Sequence, residues 1–152
     1  FLGFMIENDE PYMIEYNCRM GDPETEVVMP RLKNDLVELF QAVAEQKLDT
    51  IKIETDERTV CTVVAVSGGY PGDYKKGYEI HGLQDINPAD SVVYHMGTII
   101  KDGKVVTNGG RVFCVTSYGR SIYDAVAISK EEIEKITFTG MEYRSDIGYE
   151  FD

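Results

Sequence analysis

Thr59-Val60-Cys61-Thr62-Val63-Val64-Ala65-Val66-Ser67 is a nearly continuous β-branched run, and it decides the fold class. Val and Thr side chains suit a pleated surface better than a helix. A run with so few polar breaks suits a strand buried on both faces. The text downstream stays strand-like. Gly68-Gly69-Tyr70-Pro71-Gly72-Asp73 reads as a loop, and residues 92–96 and 98–101 as short strands. Asp102-Gly103 is a hairpin-turn dipeptide leading into residues 104–107. Asn108-Gly109-Gly110 breaks the chain before a strand over 111–117. Ser121 can N-cap a last helix, with Asp124 three residues on. Ile122, Ala125, Val126, Ile133 and Ile136 line that helix's inner side.

Upstream the pattern changes. Residues 2–6 and 12–16 are apolar segments around Glu7-Asn8-Asp9-Glu10-Pro11, which reads as a hairpin. Gly21 permits a bend. Asp22 is placed to N-cap a short helix with Pro23 at its first position, and Pro30 ends or kinks it. Glu24 and Glu26 suit the positive end of its dipole. A second helix is expected over 34–46, with Leu36, Leu39, Phe40 and Val43 on one apolar face. Residues 48–58 are polar and irregular and form a soft boundary. The expected class is α+β: a hairpin-and-helix unit over 1–50, then a strand-rich antiparallel or mixed-sheet domain over 51–152.

Length and charge narrow the function. The chain has 152 residues, and 15 basic against 27 acidic residues give a net charge of −12. A chain of this size buries roughly 68–70% of its unfolded surface, so a core forms without staples. The acidic surplus argues against nucleic-acid and anionic-membrane partners. No apolar run is long enough to span a bilayer, and residues 1–6 lack the basic region of a signal peptide. Cys18, Cys61 and Cys114 form no CxxC pair and read as reduced, buried thiols, which suits a cytoplasmic protein. His81 and His95 have no nucleophile spaced to suit them and read as structural. The Glu131-Glu132-x-Glu134 run reads as a solvated helix face, and Arg144 as a partner in an ion pair. The chain opens on Phe1 rather than Met, inside an apolar run, which suggests a fragment or a processed chain.

Glu15 and Asn17 are the sharpest chemical pair. Alternate residues of a strand share a face, with Cα atoms roughly 6.5–7 Å apart. Both offer hard oxygen ligands, and Mg²⁺ takes few such ligands, completing its octahedron with water and phosphates. Arg19 keeps the same parity if the strand persists, and its planar fork matches phosphate geometry. The plain alternative is a solvated polar face of an edge strand.

The match extends beyond spacing. Ile14-Glu15-Tyr16-Asn17 runs directly into Arg19-Met20-Gly21-Asp22-Pro23-Glu24-Thr25-Glu26. Further blocks follow in order: Met29-Pro30-Arg31-Leu32, Ser67-Gly68-Gly69-Tyr70-Pro71-Gly72-Asp73-Tyr74, Ile80-His81-Gly82-Leu83, His95-Met96-Gly97-Thr98, Thr107-Asn108-Gly109-Gly110-Arg111-Val112 and Tyr143-Arg144-Ser145-Asp146-Ile147-Gly148-Tyr149. This ordered set resembles the phosphoribosylamine–glycine ligase family of the ATP-grasp superfamily, over nearly the whole chain.

The resemblance implies that residues 1–50 are the end of an ATP-grasp domain and residues 51–152 the C-terminal domain. It implies a ligase of de novo purine synthesis that joins glycine to 5-phosphoribosylamine at the expense of ATP, through glycyl phosphate. It also implies Glu15 and Asn17 as ligands of Mg²⁺ or Mn²⁺, and Arg19 as the partner of the γ-phosphate or acyl phosphate. Asp22 and Glu24 would orient Arg19 or the amine, although helix capping explains Asp22 as well. If residues 68–72 form a substrate-facing loop, Lys75 or Lys76 would stand near phosphate; a tight strand-to-loop turn, where Gly supplies positive φ, is the equal alternative. Arg111 would face the 5-phosphate, unless it is a surface residue at a hairpin corner. The glycine-rich and lysine-bearing N-terminal half would have to complete the enzyme, so this segment is expected to be inactive alone. An acidic binding module that kept the fold without the chemistry is the competing possibility. A carboxylase of the same superfamily is another, and the Arg-x-Gly-Asp-Pro-Glu run argues against it.

Overall fold

The computed structural model describes residues 1–151. It opens on an antiparallel hairpin of β1 (Leu2–Glu7) and β2 (Glu10–Tyr16). The turn is Asn8-Asp9, both at positive φ (50° and 63°). Asn and Asp tolerate that region better than other side chains, which makes the pair a tight hairpin turn. Almost every residue of the hairpin is exposed.

The short helix differs from the expectation. Helix α1 is Thr25–Val28, flanked by Glu24 with no side-chain cap, and Asp22 does not cap it. Thr25 instead bonds the Gly21 carbonyl through both its N–H and its hydroxyl. The Asp22-Pro23 peptide is cis, and Pro23 lies before the helix rather than in its first turn. The chain then makes a 3₁₀ turn over Met29–Arg31 that contains Pro30. Helix α2 (Leu36–Ala44) is shorter than the pattern suggested. The Asp35 carboxylate accepts from Val37 N at 2.7 Å and Glu38 N at 3.3 Å, which fixes its start. Gln46 at φ 58° ends it. Of its apolar face, Leu39 is buried while Leu36, Phe40 and Val43 are exposed.

A four-stranded antiparallel sheet carries the core, in the order β4 (Ser91–His95), β7 (Arg111–Gly119), β3 (Thr59–Ser67) and β8 (Met141–Glu142). A separate hairpin joins β5 (Thr98–Lys101) to β6 (Lys104–Thr107) through Asp102-Gly103, both at positive φ. Helix α3 (Ile122–Ile133) is capped by Ser121, whose hydroxyl accepts from Asp124 N. It covers one sheet face, where Cys61, Val63, Ala65, Phe113 and Val115 meet Ala125 and Ile133. Ser129 Oγ donates to the Cys61 carbonyl at 2.9 Å, tying helix to sheet.

β3 is not buried on both faces. Cys61, Val63, Ala65 and Ser67 are buried, while Thr62, Val64 and Val66 are half-buried. The second face is only partly roofed, by α1 and by residues 143–147. Glu132 also departs from the solvated-face expectation. It is buried, accepting from Asn87 N at 3.0 Å and Lys135 Nζ at 2.8 Å. The three cysteines are free, and Cys18 is exposed rather than buried. No helix among the described residues is long and apolar enough to cross a membrane.

Candidate functional site

Strand β2 ends at Tyr16, but pairing continues one residue further, with Asn17 N donating to the Phe1 carbonyl at 2.8 Å. Glu15 lies opposite Gly3, and its side chain runs across the Gly3 Cα. Asn17 Nδ2 is buried without a hydrogen-bond partner. Buried polar atoms are rarely left so, and each one calls for a reason. The strand does not persist to Arg19, because the chain bends at Cys18-Arg19. The Arg19 guanidinium donates to the Met20 carbonyl at 3.0 Å and stands 5.7 Å from the Phe1 ring centroid. No hydrogen bond or ion pair joins Glu15, Asn17 and Arg19 to one another among the described residues. No cluster of three or more His, Cys, Asp or Glu suited to a metal occurs there either.

Asp22 and Arg111 are brought together. Arg111 Nη1 meets Asp22 Oδ1 at 2.7 Å across 89 residues of chain. Glu24 folds back so that its carboxylate covers Gly21, where a Cβ would collide with it. Lys76 lies elsewhere, its ammonium 6.0 Å from the Tyr74 ring centroid. Lys75, not Lys76, lines the cavity of about 340 Å³ beside the Gly-rich loop, together with Tyr74, Tyr78 and Asp73.

The glycine-rich turns build the seat of Arg111. Ser67 donates through its N–H to the Gly110 carbonyl at 2.7 Å and through Oγ to the Gly109 carbonyl at 2.9 Å. The Tyr70 ring lies against Gly110, in space that any Cβ would fill. Gly97 and Gly109 approach backbone to backbone. A cleft of about 450 Å³ opens beside this seat. Val64 and Val66 form its floor, and Pro23, Tyr70, Tyr143 and Arg144 its sides. Sequence reading missed Pro23, Tyr70 and Tyr143 as neighbours. The recurrent glycines around Arg111 were the available signal, because close backbone approach requires them.

Electrostatics separate exposed from buried groups. The Arg58 fork holds the Asp56 carboxyl well below the usual carboxylate range. Burial pushes the Cys61 and Cys114 thiols up. Burial also raises Tyr94, and the Glu26 carboxylate on α1 adds to the shifts of Tyr94 and Cys114. Glu26 Oε2 is itself buried without a partner. Arg144 pairs with Asp146 at 2.8 Å on the surface. His95 Nδ1 sits 3.0 Å from Thr98 Oγ1, and His81 faces Glu79.

Comparison with known proteins gives the family. Residues 60–150 match the model described as phosphoribosylglycinamide synthetase, C domain. The chain is 47% identical over 147 residues to a phosphoribosylamine–glycine ligase of Caldanaerobacter subterraneus subsp. tengcongensis, covering 97% of this chain and 35% of that protein. It is 46% identical to the enzyme of the same name from Pseudomonas aeruginosa, covering 98% of this chain and 35% of the relative. It is 45% identical to a trifunctional purine biosynthetic protein of Gallus gallus, covering 98% of this chain and 15% of that one. The crystal structure of phosphoribosylamine–glycine ligase from Thermotoga maritima superimposes with a TM-score of 0.74 at 35% identity, over 95% of this chain and 35% of that chain. The chain belongs to the phosphoribosylglycinamide synthetase family. It spans about a third of the length of the single-function relatives it matches.

Proposed function

We propose that this chain works within a longer polypeptide as part of a phosphoribosylamine–glycine ligase. In this reading residues 1–50 close an ATP-grasp domain and residues 51–152 form the C-terminal domain. The substrates are glycine, 5-phosphoribosylamine and ATP. The observation that carries it is identity of 47% over 97% of the chain to a ligase of that name, with the run from Glu15 to Glu26 intact.

The reaction brings several negative oxygens to one point. Glycine's carboxylate attacks the γ-phosphate and ADP departs, leaving glycyl phosphate. The amine of phosphoribosylamine then attacks the acyl carbon, inorganic phosphate leaves, and an amide remains. Such chemistry is mostly positioning and charge neutralisation. Arg19 meets the transferring phosphoryl group with its guanidinium N–H donors. Its bend at the end of β2 leaves the side chain free of any carboxylate partner among the described residues, so the charge is available.

Glu15 and Asn17 would hold a Mg²⁺ or Mn²⁺ ion. The donor set fits, because both supply hard oxygens. The orphaned Asn17 atom is the amide nitrogen, a donor, so it suits an acceptor such as a phosphate oxygen beside the ion, while the amide oxygen would be the ligand. When bound, the ion neutralises phosphate charge and fixes phosphate geometry. Glu24 shields Gly21 and keeps the loop closed.

The test is a ligase assay on the full polypeptide that carries this segment, comparing Glu15→Ala and Asn17→Ala with the parent. Each is expected to lower turnover by about 10²-fold or more, the scale seen when one charge-stabilising group is lost. Full activity in both variants would remove the metal assignment, and absence of ligase activity in the parent would leave the binding-module alternative standing.

A further inference from the structure

We propose that Arg111 is a positioning residue for the signature loop, acting on it through Asp22. This rests on the reading that Arg19 meets the transferring phosphoryl group. The loop from Arg19 to Glu24 is short and outside any helix or strand, with Arg19, Met20, Asp22 and Glu24 exposed and Gly21 buried. On one side α1 anchors it, through Thr25 N and Oγ1 on the Gly21 carbonyl. On the other side its polar anchor is the Asp22–Arg111 pair at 2.7 Å. The Phe1 nitrogen also holds the start of the loop, donating to the Arg19 carbonyl at 2.9 Å, so removing the pair frees the Asp22 corner between that contact and α1.

Arg111 is unusually well placed for such work. It opens β7, opposite Val66, where the β3–β7 register shifts. Ser67 bonds the two carbonyls immediately before it. The Tyr70 ring closes over Gly110. Thus the Ser67–Tyr70 turn and the two glycines before Arg111 fix the residue that reaches the signature loop. Functional geometry of this kind needs a supporting shell whose own rotamers are locked.

The pair itself adds little to stability. Its side chains are 39% and 40% exposed, and half-solvated pairs are screened. Its value is therefore geometric, and the two readouts separate. A change in Arg111 should move catalysis while the unfolding midpoint stays close to that of the parent.

The experiment uses the full-length enzyme with Arg111→Met, Asp22→Asn, the double variant, Arg111→Lys, and Arg19→Met as a reference. Each single neutralisation is expected to lower kcat by about 10–100-fold, the scale of a small misplacement near the chemistry. KM for phosphoribosylamine should change by less than about threefold, since no substrate-binding contact is lost. The double variant should be no worse than either single one, because both break the same link. Arg111→Lys should recover part of kcat. Additive losses would overturn the proposal. So would a raised KM for phosphoribosylamine in Arg111→Met with Asp22→Asn silent, which would place Arg111 on the substrate. If Arg111→Met does not fold, Asp22→Asn decides, because it lies in the exposed loop; parental kcat there also overturns the proposal. Full activity in Arg19→Met would instead defeat the site reading underneath, whatever the Arg111 variants do.

Discussion

Tyr118 Oη donates to the Pro30 carbonyl at 2.8 Å, across 88 residues of chain. The Arg58 guanidinium stands 4.1 Å from the centroid of the same ring. Beside them Asp56 N donates to the Arg31 carbonyl at 2.7 Å, and Arg31 Nε returns a bond to the Asp56 carbonyl at 3.0 Å. These contacts seam the segment after α1 to the end of the sheet where β3 begins and β7 finishes. Tyr118→Phe keeps the ring and deletes only the hydroxyl. It should lower unfolding free energy by about 0.5–1.5 kcal/mol, the net worth of one hydrogen bond. Tyr118→Ala should cost more, because the Arg58 stack goes too. Urea unfolding of the chain reads both, and equal stability of Tyr118→Phe and the parent would show that the seam carries no load.

Glu132 is the buried carboxylate of the core edge. Its two oxygens accept from Asn87 N and Lys135 Nζ. Glu132→Ala leaves the Asn87 N–H without its acceptor, at a cost of about 1–3 kcal/mol. Glu131→Ala, on an exposed neighbour, should change stability by less than about 0.5 kcal/mol. Similar losses in the two variants would mean that burial at 132 has no consequence.

The thiols divide by burial. Cys61 and Cys114 are pushed up from 9.0 by burial, so folding keeps them protonated where the unfolded chain begins to ionise. Their contribution to stability is complete below pH 9.0 and is lost as pH rises through the folded values. Cys18 is exposed. A thiol reagent at neutral pH should label Cys18 quickly and the other two only on unfolding. Labelling of the Cys18→Ser chain at the parental rate would contradict this.

At the acid end the sign reverses. Asp56 is held well below its ordinary 3.8 by the Arg58 side chain and N–H. Its contribution is present above the unfolded value and is lost as pH falls below it. Asp56→Asn should therefore flatten the stability-against-pH curve below about pH 4. An unchanged acid limb would place the acid sensitivity elsewhere.

The sequence showed local order well. The hairpin of β1 and β2, the extent of β3 and the Ser121 cap all rest on neighbours in the chain, and the alternation and turn residues expose them. Asp22 was misread because Pro23 and two glutamates offered a local helix start, while its real partner lies on β7. Glu132 was misread because a run of like charges gives no sign of which one turns inward. The β3 run was read as doubly buried because Thr and Val look alike on both faces; only the partial roof of α1 tells them apart. The shared parity of Glu15 and Asn17 was legible from their spacing, but the bend that takes Arg19 out of register depends on the backbone after Tyr16.

Glu15 and Asn17 are proposed to serve the metal-dependent phosphoryl step of a ligase. The most direct measurement is the Mg²⁺ dependence of glycine-dependent ADP formation by the full-length enzyme, for the parent, Glu15→Gln and Asn17→Ala. Half-saturating Mg²⁺ is expected to rise about tenfold or more in each variant, a loss of roughly 1.4 kcal/mol or more in ion affinity, together with a fall in the maximal rate. Parental Mg²⁺ dependence and parental rate in both variants would contradict it.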